Sequence, residues 1–235
     1  MPGYTRRQLK EDKFAETAQG AAQWATGHRQ TVILAIGVVL VVILATIGFM
    51  TWRGRQTEQA NVELSAALRT FNAPLRPAGT PAGEAQTFTS IADRAKAAEK
   101  QFQGIADKYS GVPAGKMARY LSGIALLQAG DNAGAEKDLK TAADSGDKNV
   151  ASLAKMALAS IDRSSNRNSD AVNIYKSLID HPTDTVSKQQ AQLELAELYE
   201  KTDPQQAITL YQQLQKDNPQ TPVAQIASQK LAKTK

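Results

Sequence analysis

Two histidines, one glycine–lysine pair and a scatter of carboxylates are the groups in this chain that could do chemistry. His28 lies just before a long apolar stretch and His181 sits in an Asp-His-Pro loop far beyond it. With that stretch between them they cannot share a site, and a loop histidine of this kind reads as solvated. Gly115-Lys116, within SGVPAGKM, has the outline of a phosphate-binding loop, in which backbone N–H groups and a lysine cradle phosphates. The outline fails at both ends. Ser110 stands where the first glycine belongs, and Met117 replaces the Ser or Thr that would hold magnesium. The chain has no cysteine, which excludes disulfides, thiolate zinc sites and a cysteine nucleophile together. No carboxylate stands apart from those that a helical surface needs for solubility. The reading is a protein that is not an enzyme and uses no cofactor and no metal.

The element before which His28 stands is Thr31 to Met50, TVILAIGVVLVVILATIGFM, apolar and without charge. Twenty residues at ~1.5 Å per residue make a helix of about 30 Å, the thickness of a bilayer's hydrocarbon core. In lipid a helix satisfies its own backbone hydrogen bonds. The run is longer than a signal h-region of ~7–15 residues, and it ends in Phe49-Met50-Thr51-Trp52-Arg53 rather than at a small-residue cleavage site. It is also more uniformly apolar than a core helix. The expectation is a transmembrane helix over 31–51, with Trp52 and Arg53 as its membrane-interface anchor; Trp24 marks the other interface less closely. The tail, residues 1–30, holds Arg6, Arg7, Lys10, Lys13 and Arg29, against Arg53, Arg55 and Arg69 in the matching stretch after the span. The positive-inside bias then places the tail in the cytoplasm and the rest outside, although the charges nearest the membrane point the other way. A face of Phe14, Ala18, Ala21 and Ala25 in the tail is either amphipathic helix or disordered chain.

The net charge of +5 is spread along the chain, which argues against nucleic acid, since such binders cluster their basic residues among aromatics. The 185 residues after Met50 suffice for a domain with a real core. Strand-like alternation is scarce there, and helical periodicity dominates from Glu58 onward. EQANVELSAALRTF puts Leu64, Ala67, Leu68 and Phe71 on one helical face. A Pro/Gly-rich loop follows over 72–87, and a second helix starts near Thr89.

A repeat then sets the architecture. Ala98-x3-Phe102-x2-Ile105 recurs as Ala135-x3-Leu139-x2-Ala142, as Ala171-x3-Tyr175-x2-Leu178 and as Ala207-x3-Tyr211-x2-Leu214. The alanines stand 37, 36 and 36 residues apart. One small and two larger groups fall on one helical stripe, and a fixed period of this size means a stacked supersecondary unit. GKMARYLSGIALLQAG, ASLAKMALASID and KQQAQLELAELYEK are the partner helices, each followed by a short polar turn. Thr221 and Pro222 open a capping helix. The bland alternative is a helical bundle without repeats.

The pattern resembles the tetratricopeptide repeat. Gly123, Leu126, Gly130, Ala135, Leu139 and Ala142 match the family's spacing in the second unit, with Ser122 where a leucine is usual. Ala159, Ala171 and Tyr175 match in the third; Ala196, Tyr199, Ala207, Tyr211 and Pro219 match in the fourth, with a turn one residue short. The large aromatic early in each first helix is missing. The expected fold is all-α: one N-terminal transmembrane helix, then over 52–235 a solenoid of about four helical hairpins plus a capping helix. The family register places Tyr120, Ile124 and Leu127 in a concave partner-binding groove, followed by Leu153, Met156 and Arg163, then Leu193 and Glu197; Leu121, Leu153 and Leu193 read equally as core. A carboxylate clamp would use Lys116 and Lys155, but asparagine partners are lacking.

Basic tail, single span, Pro/Gly loop and degenerate repeats together resemble the YfgM-like bacterial inner-membrane tetratricopeptide proteins, ancillary subunits of the Sec translocon. That resemblance implies a periplasmic repeat domain that hands emerging, unfolded polypeptides to chaperones. Its partners would be translocon subunits and a periplasmic chaperone or membrane-anchored prolyl isomerase. It leaves the oligomeric state open. A scaffold subunit of a division, pilus or secretion assembly is the alternative.

Overall fold

The computed structural model describes residues 27–81, 86–217 and 219–233. Trp24, the tail face from Phe14 to Ala25, Asn218 and the middle of the Pro/Gly loop lie outside the described residues. The chain divides into two compact units, Met1–Arg55 and Gln56–Lys235. Nine helices are present among the described residues: α1 (Arg29–Phe71), α2 (Ile91–Lys108), α3 (Pro113–Ala129), α4 (Asn132–Ala143), α5 (Lys148–Ser164), α6 (Asn168–Asp180), α7 (Lys188–Thr202), α8 (Pro204–Asp217) and α9 (Pro222–Lys233).

In the first unit, α1 carries the apolar stretch. Its large apolar residues are all bare: Ile33 to Met50 expose 48–69% of their surface. A core helix would bury one stripe of them, so this is not one. It is the helix among the described residues that is long and apolar enough to cross a membrane.

The second unit is built of antiparallel pairs. Residues 56–71 of α1 pair with α2, α3 with α4, α5 with α6 and α7 with α8; α9 packs on α8 and α7. All twelve residues of the repeat stripes are buried, from Ala98, Phe102 and Ile105 to Ala207, Tyr211 and Leu214. The first helices answer with their own small residues, Gly123, Ala159 and Ala196, each buried. At the α3–α4 crossing a Cβ on Gly123 would lie 2.7 Å from Leu139 Cγ, so the two backbones meet where only hydrogen fits.

Turn chemistry explains the one irregular hairpin. Gly130 (φ 86°) and Asn166 (φ 59°) close the first two short turns in the left-handed region, where glycine and asparagine are tolerated. After α7 the turn is a residue shorter, and Asp203 takes an extended φ of −154° instead. Its carboxylate accepts from the Gln206 N–H (3.2 Å) and so caps α8. Ser90, Asp131, Asp147, Ser187 and Thr221 cap α2, α4, α5, α7 and α9 in the same way.

Departures from the expected pattern have local reasons. Ser122 is fully buried, and its hydroxyl donates to Asp138 Oδ2 at 2.6 Å; Arg119 also reaches Asp138 (3.3 Å). A paired polar contact thus replaces the leucine of the family pattern. The described ends of the Pro/Gly loop, up to Ser90, are held in place. Leu75 and Phe88 form a single parallel bridge, and Arg94 donates to the Ala73 carbonyl (3.1 Å). Phe71 and Phe102 meet edge to face at 5.8 Å across the first hairpin.

Gly115, the glycine of the failed phosphate loop, has a structural task. A Cβ there would lie 1.9 Å from the Tyr109 carbonyl oxygen, where the end of α2 passes the start of α3. No side-chain rotation relieves a clash with backbone. Gly115→Ala is therefore expected to destabilise the repeat unit by about 3 kcal/mol or more. Urea unfolding followed by circular dichroism measures this.

Candidate protein-binding site

The residues expected to line a groove stand on the first helices of successive hairpins. Tyr120, Ile124 and Leu127 lie on α3, Met156 and Arg163 on α5, Leu193 and Glu197 on α7. All seven are half-buried. Tyr120, Ile124 and Leu127 rest against an apolar cluster that contains Leu139, Val150, Ala154 and Leu158. Burial pushes the Tyr120 hydroxyl pKa up. Leu153, Met156 and Leu193 rest against a second cluster around Tyr175, Leu195 and Tyr211. Each apolar residue therefore does two jobs: part of it packs the stack, and the remainder is available at the surface.

The charged pair is brought together directly. Arg163 Nη1 lies 3.1 Å from Glu194 Oε2 and 3.7 Å from Glu197 Oε2. Glu197 Oε1 lies 3.2 Å from Lys230 Nζ on α9, and Lys230 reaches Glu200 Oε1 at 3.1 Å. A ladder of alternating charge thus runs from α5 over α7 to α9. Sequence reasoning singled out only Arg163 and Glu197. The spacing Glu194, Glu197, Glu200 puts three carboxylates on neighbouring positions of one helical face, and this was readable in the sequence. The answering Lys230 on the cap was not. Lys116 and Lys155, the clamp candidates, are half-buried on α3 and α5. Trp52 and Arg53 are exposed on α1, with the Trp52 ring 6.1 Å from that of Phe49.

Residues 23–174 match the tetratricopeptide repeat-like domain, and residues 190–221 match the tetratricopeptide repeat. The chain belongs to the tetratricopeptide repeat-like family. Among solved structures, a putative kinesin light chain of Podospora anserina with nearly identical TPR-like repeats superposes with a TM-score of 0.56. It is 14% identical, and the alignment covers 75% of this chain and 85% of that one. At that identity the likeness concerns the fold alone. No curated protein matches the chain.

The tetratricopeptide register makes two tyrosines comparable. Tyr175 in the third repeat and Tyr211 in the fourth hold the same place on their second helices, and both are buried. Facing them from the first helices are Arg163 and Glu200, also at equivalent places. Tyr211 donates to Glu200 Oε1 at 2.7 Å. Arginine cannot accept a hydrogen bond, and the Tyr175 hydroxyl has no partner among the described residues. Burial pushes the Tyr175 pKa up to about 12, and the Glu194 carboxylate adds to the shift. Burial raises Tyr211 as well, and its bond to Glu200 raises it further. Burial alone would raise Glu200, yet the bonds from Tyr211 and Lys230 hold it below the usual carboxylate range.

Two outcomes follow. Tyr211→Phe should cost about 1 kcal/mol, whereas Tyr175→Phe should cost nothing and gain up to about 1 kcal/mol, because it removes an unsatisfied buried hydroxyl. Chemical denaturation of the two variants reads the difference. Both phenols have folded pKa values above their unfolded value of about 10. Both stay neutral in the folded and unfolded chain below pH ~10, and stability falls as pH rises from there through the folded values, for Tyr175 about 12, because the fold disfavours the phenolate. A urea midpoint that held level across that window would contradict this assignment.

Proposed function

We propose that this protein is a single-pass membrane adaptor. Its tetratricopeptide repeats bind polypeptide, and its apolar helix is a retained anchor. The observation that carries the reading is the pairing of two features. A charge-free apolar stretch is exposed along the whole of Ile33 to Met50, and the repeat unit belongs to a family that serves as a protein–protein interaction module. An exposed apolar surface of that length is costly in water and stable in lipid. Trp52 and Arg53 then stand at the interface where an aromatic ring and a snorkelling cation are stable. The larger number of basic residues before the span supports a cytoplasmic tail and a periplasmic repeat domain in a bacterial inner membrane.

The layout also supports a place beside the Sec translocon, in the manner of YfgM-like proteins. There the domain would pass emerging polypeptides to a periplasmic chaperone or a membrane-anchored prolyl isomerase. The apolar first-helix residues Met156 and Leu193 provide the contact surface. The Arg163–Glu197 ladder, already satisfied within the chain, sets its polar border. The domain acts by shape and contact rather than by reaction chemistry.

Protease added to intact spheroplasts tests the orientation. The repeat domain should be digested, and its protection would reverse the topology. Copurification in mild detergent tests the role, and recovery of translocon subunits, a periplasmic chaperone or the isomerase is the expected result. Met156→Glu with Leu193→Glu should weaken that recovery at least tenfold, on the scale of a lost central contact of about 1.4 kcal/mol or more. Recovery of division or secretion components alone would assign the protein to a scaffold instead.

A further inference from the structure

A recessed surface lies away from the first-helix residues discussed above, between the last turns of α1 and the open face of α2. This cleft has a volume of about 620 Å³. Ala66 and Ile105 contribute apolar floor, and Arg69, Lys100 and Lys108 contribute cations at its rim. The one carboxylate there, Glu63, is engaged: it accepts from Lys108 Nζ at 2.7 Å and from the Tyr109 hydroxyl at 2.8 Å. Among the described residues neither Arg69 nor Lys100 has an ion-pair partner. The cleft therefore carries an excess of positive charge: Glu99 feels the charge of the neighbouring Lys100, but no described carboxylate forms an ion pair with Lys100 or Arg69.

The second observation is Gly104. It sits inside α2 and lines the cleft. Glycine there lowers helix propensity. Gly115 and Gly123 are required by neighbours that a Cβ would strike, and Gly130 by its positive φ. Gly104 has neither reason: a Cβ would meet nothing within 4 Å, and its φ is not positive. What a bare Cα offers is close approach by a backbone from outside. Lys100, Gly104 and Lys108 fall one turn apart on a single face of α2, a bare spot between two cations.

We propose that this cleft docks an acidic segment of a partner polypeptide, with its backbone crossing α2 at Gly104 and its carboxylates meeting Lys100 and Arg69. The charge excess selects anionic side chains. The glycine selects a polypeptide backbone over a flat anionic surface, which needs no recess. A nucleic-acid site would present aromatic faces among the cations; the ring beside this cleft, Tyr109, is buried and offers none for stacking. The inference rests on the reading of the domain as a polypeptide binder but uses a surface distinct from the groove.

The test uses the full chain in neutral-lipid nanodiscs and a fluorescein-labelled peptide of alternating Glu and Ala, with the Gln-for-Glu peptide as its neutral counterpart. The acidic peptide should bind and the neutral one should not. Arg69→Glu with Lys100→Glu should weaken binding about tenfold or more, whereas Lys137→Glu, the same kind of reversal on α4, should leave it unchanged. Gly104→Ala should raise the unfolding temperature by about 2 °C and yet weaken the peptide several-fold. That divergence separates a docking role from a structural one. Equal binding of the two peptides, an equal loss in Lys137→Glu, or a Gly104→Ala variant of unchanged affinity would each overturn the proposal. So would failure of the acidic peptide to bind the unaltered protein. Met156→Glu with Leu193→Glu should not alter this peptide's affinity. If copurification with translocon partners survives while the peptide fails to bind, only the cleft assignment falls.

Discussion

The close crossing of paired helices at small residues is the constraint on which the repeat unit depends. Gly123 meets the Ala135 backbone, Ala159, Ala171, Ala196 and Ala207 are buried together at the next two crossings, and Leu139, Tyr175 and Tyr211 are buried with them. Added volume at such a point must displace a packed neighbour, since interiors are filled to crystal-like density. The same crossings fix which faces remain outside. With the second helices committed to the stripe, the first helices keep an edge at the surface, and the charged ladder forms along it.

Much of this was legible in the sequence because the period is carried by burial. Alanine at a constant interval, followed by a large residue and an apolar one, marks the buried stripe, and all four copies proved buried. The Thr221–Pro222 helix start and the short fourth turn were likewise visible, since caps and turns are local. Features that depend on distant atoms were not. Ser122 looks like a defect until Asp138 is placed 2.6 Å from its hydroxyl. Gly115 looks like part of a failed phosphate loop until the Tyr109 carbonyl is seen above it.

The residues expected to line a groove stand on first helices, and their half-burial was not readable. Periodicity gives a residue's direction, not how far the next helix overhangs it. Charge shows the same division. The sequence spreads +5 evenly, whereas the structure gathers charges into a self-satisfied ladder at one end of the stack and a cationic recess at the other. Neither is apparent from composition, because the ladder joins α5, α7 and α9 and the recess joins two helices across the Pro/Gly loop.

The contact pattern of the repeat unit has a kinetic corollary. From α2 to α9 each helix touches chiefly its immediate neighbours in the chain, and the remaining contacts reach only one helix further. Such a topology has low contact order, and ordering can advance along the chain without waiting for a remote partner. During synthesis each hairpin can settle on its predecessor as soon as it is complete. α9 packs on α8 and α7 in the same way, so during synthesis only the growing end of the stack stays open to misassociation.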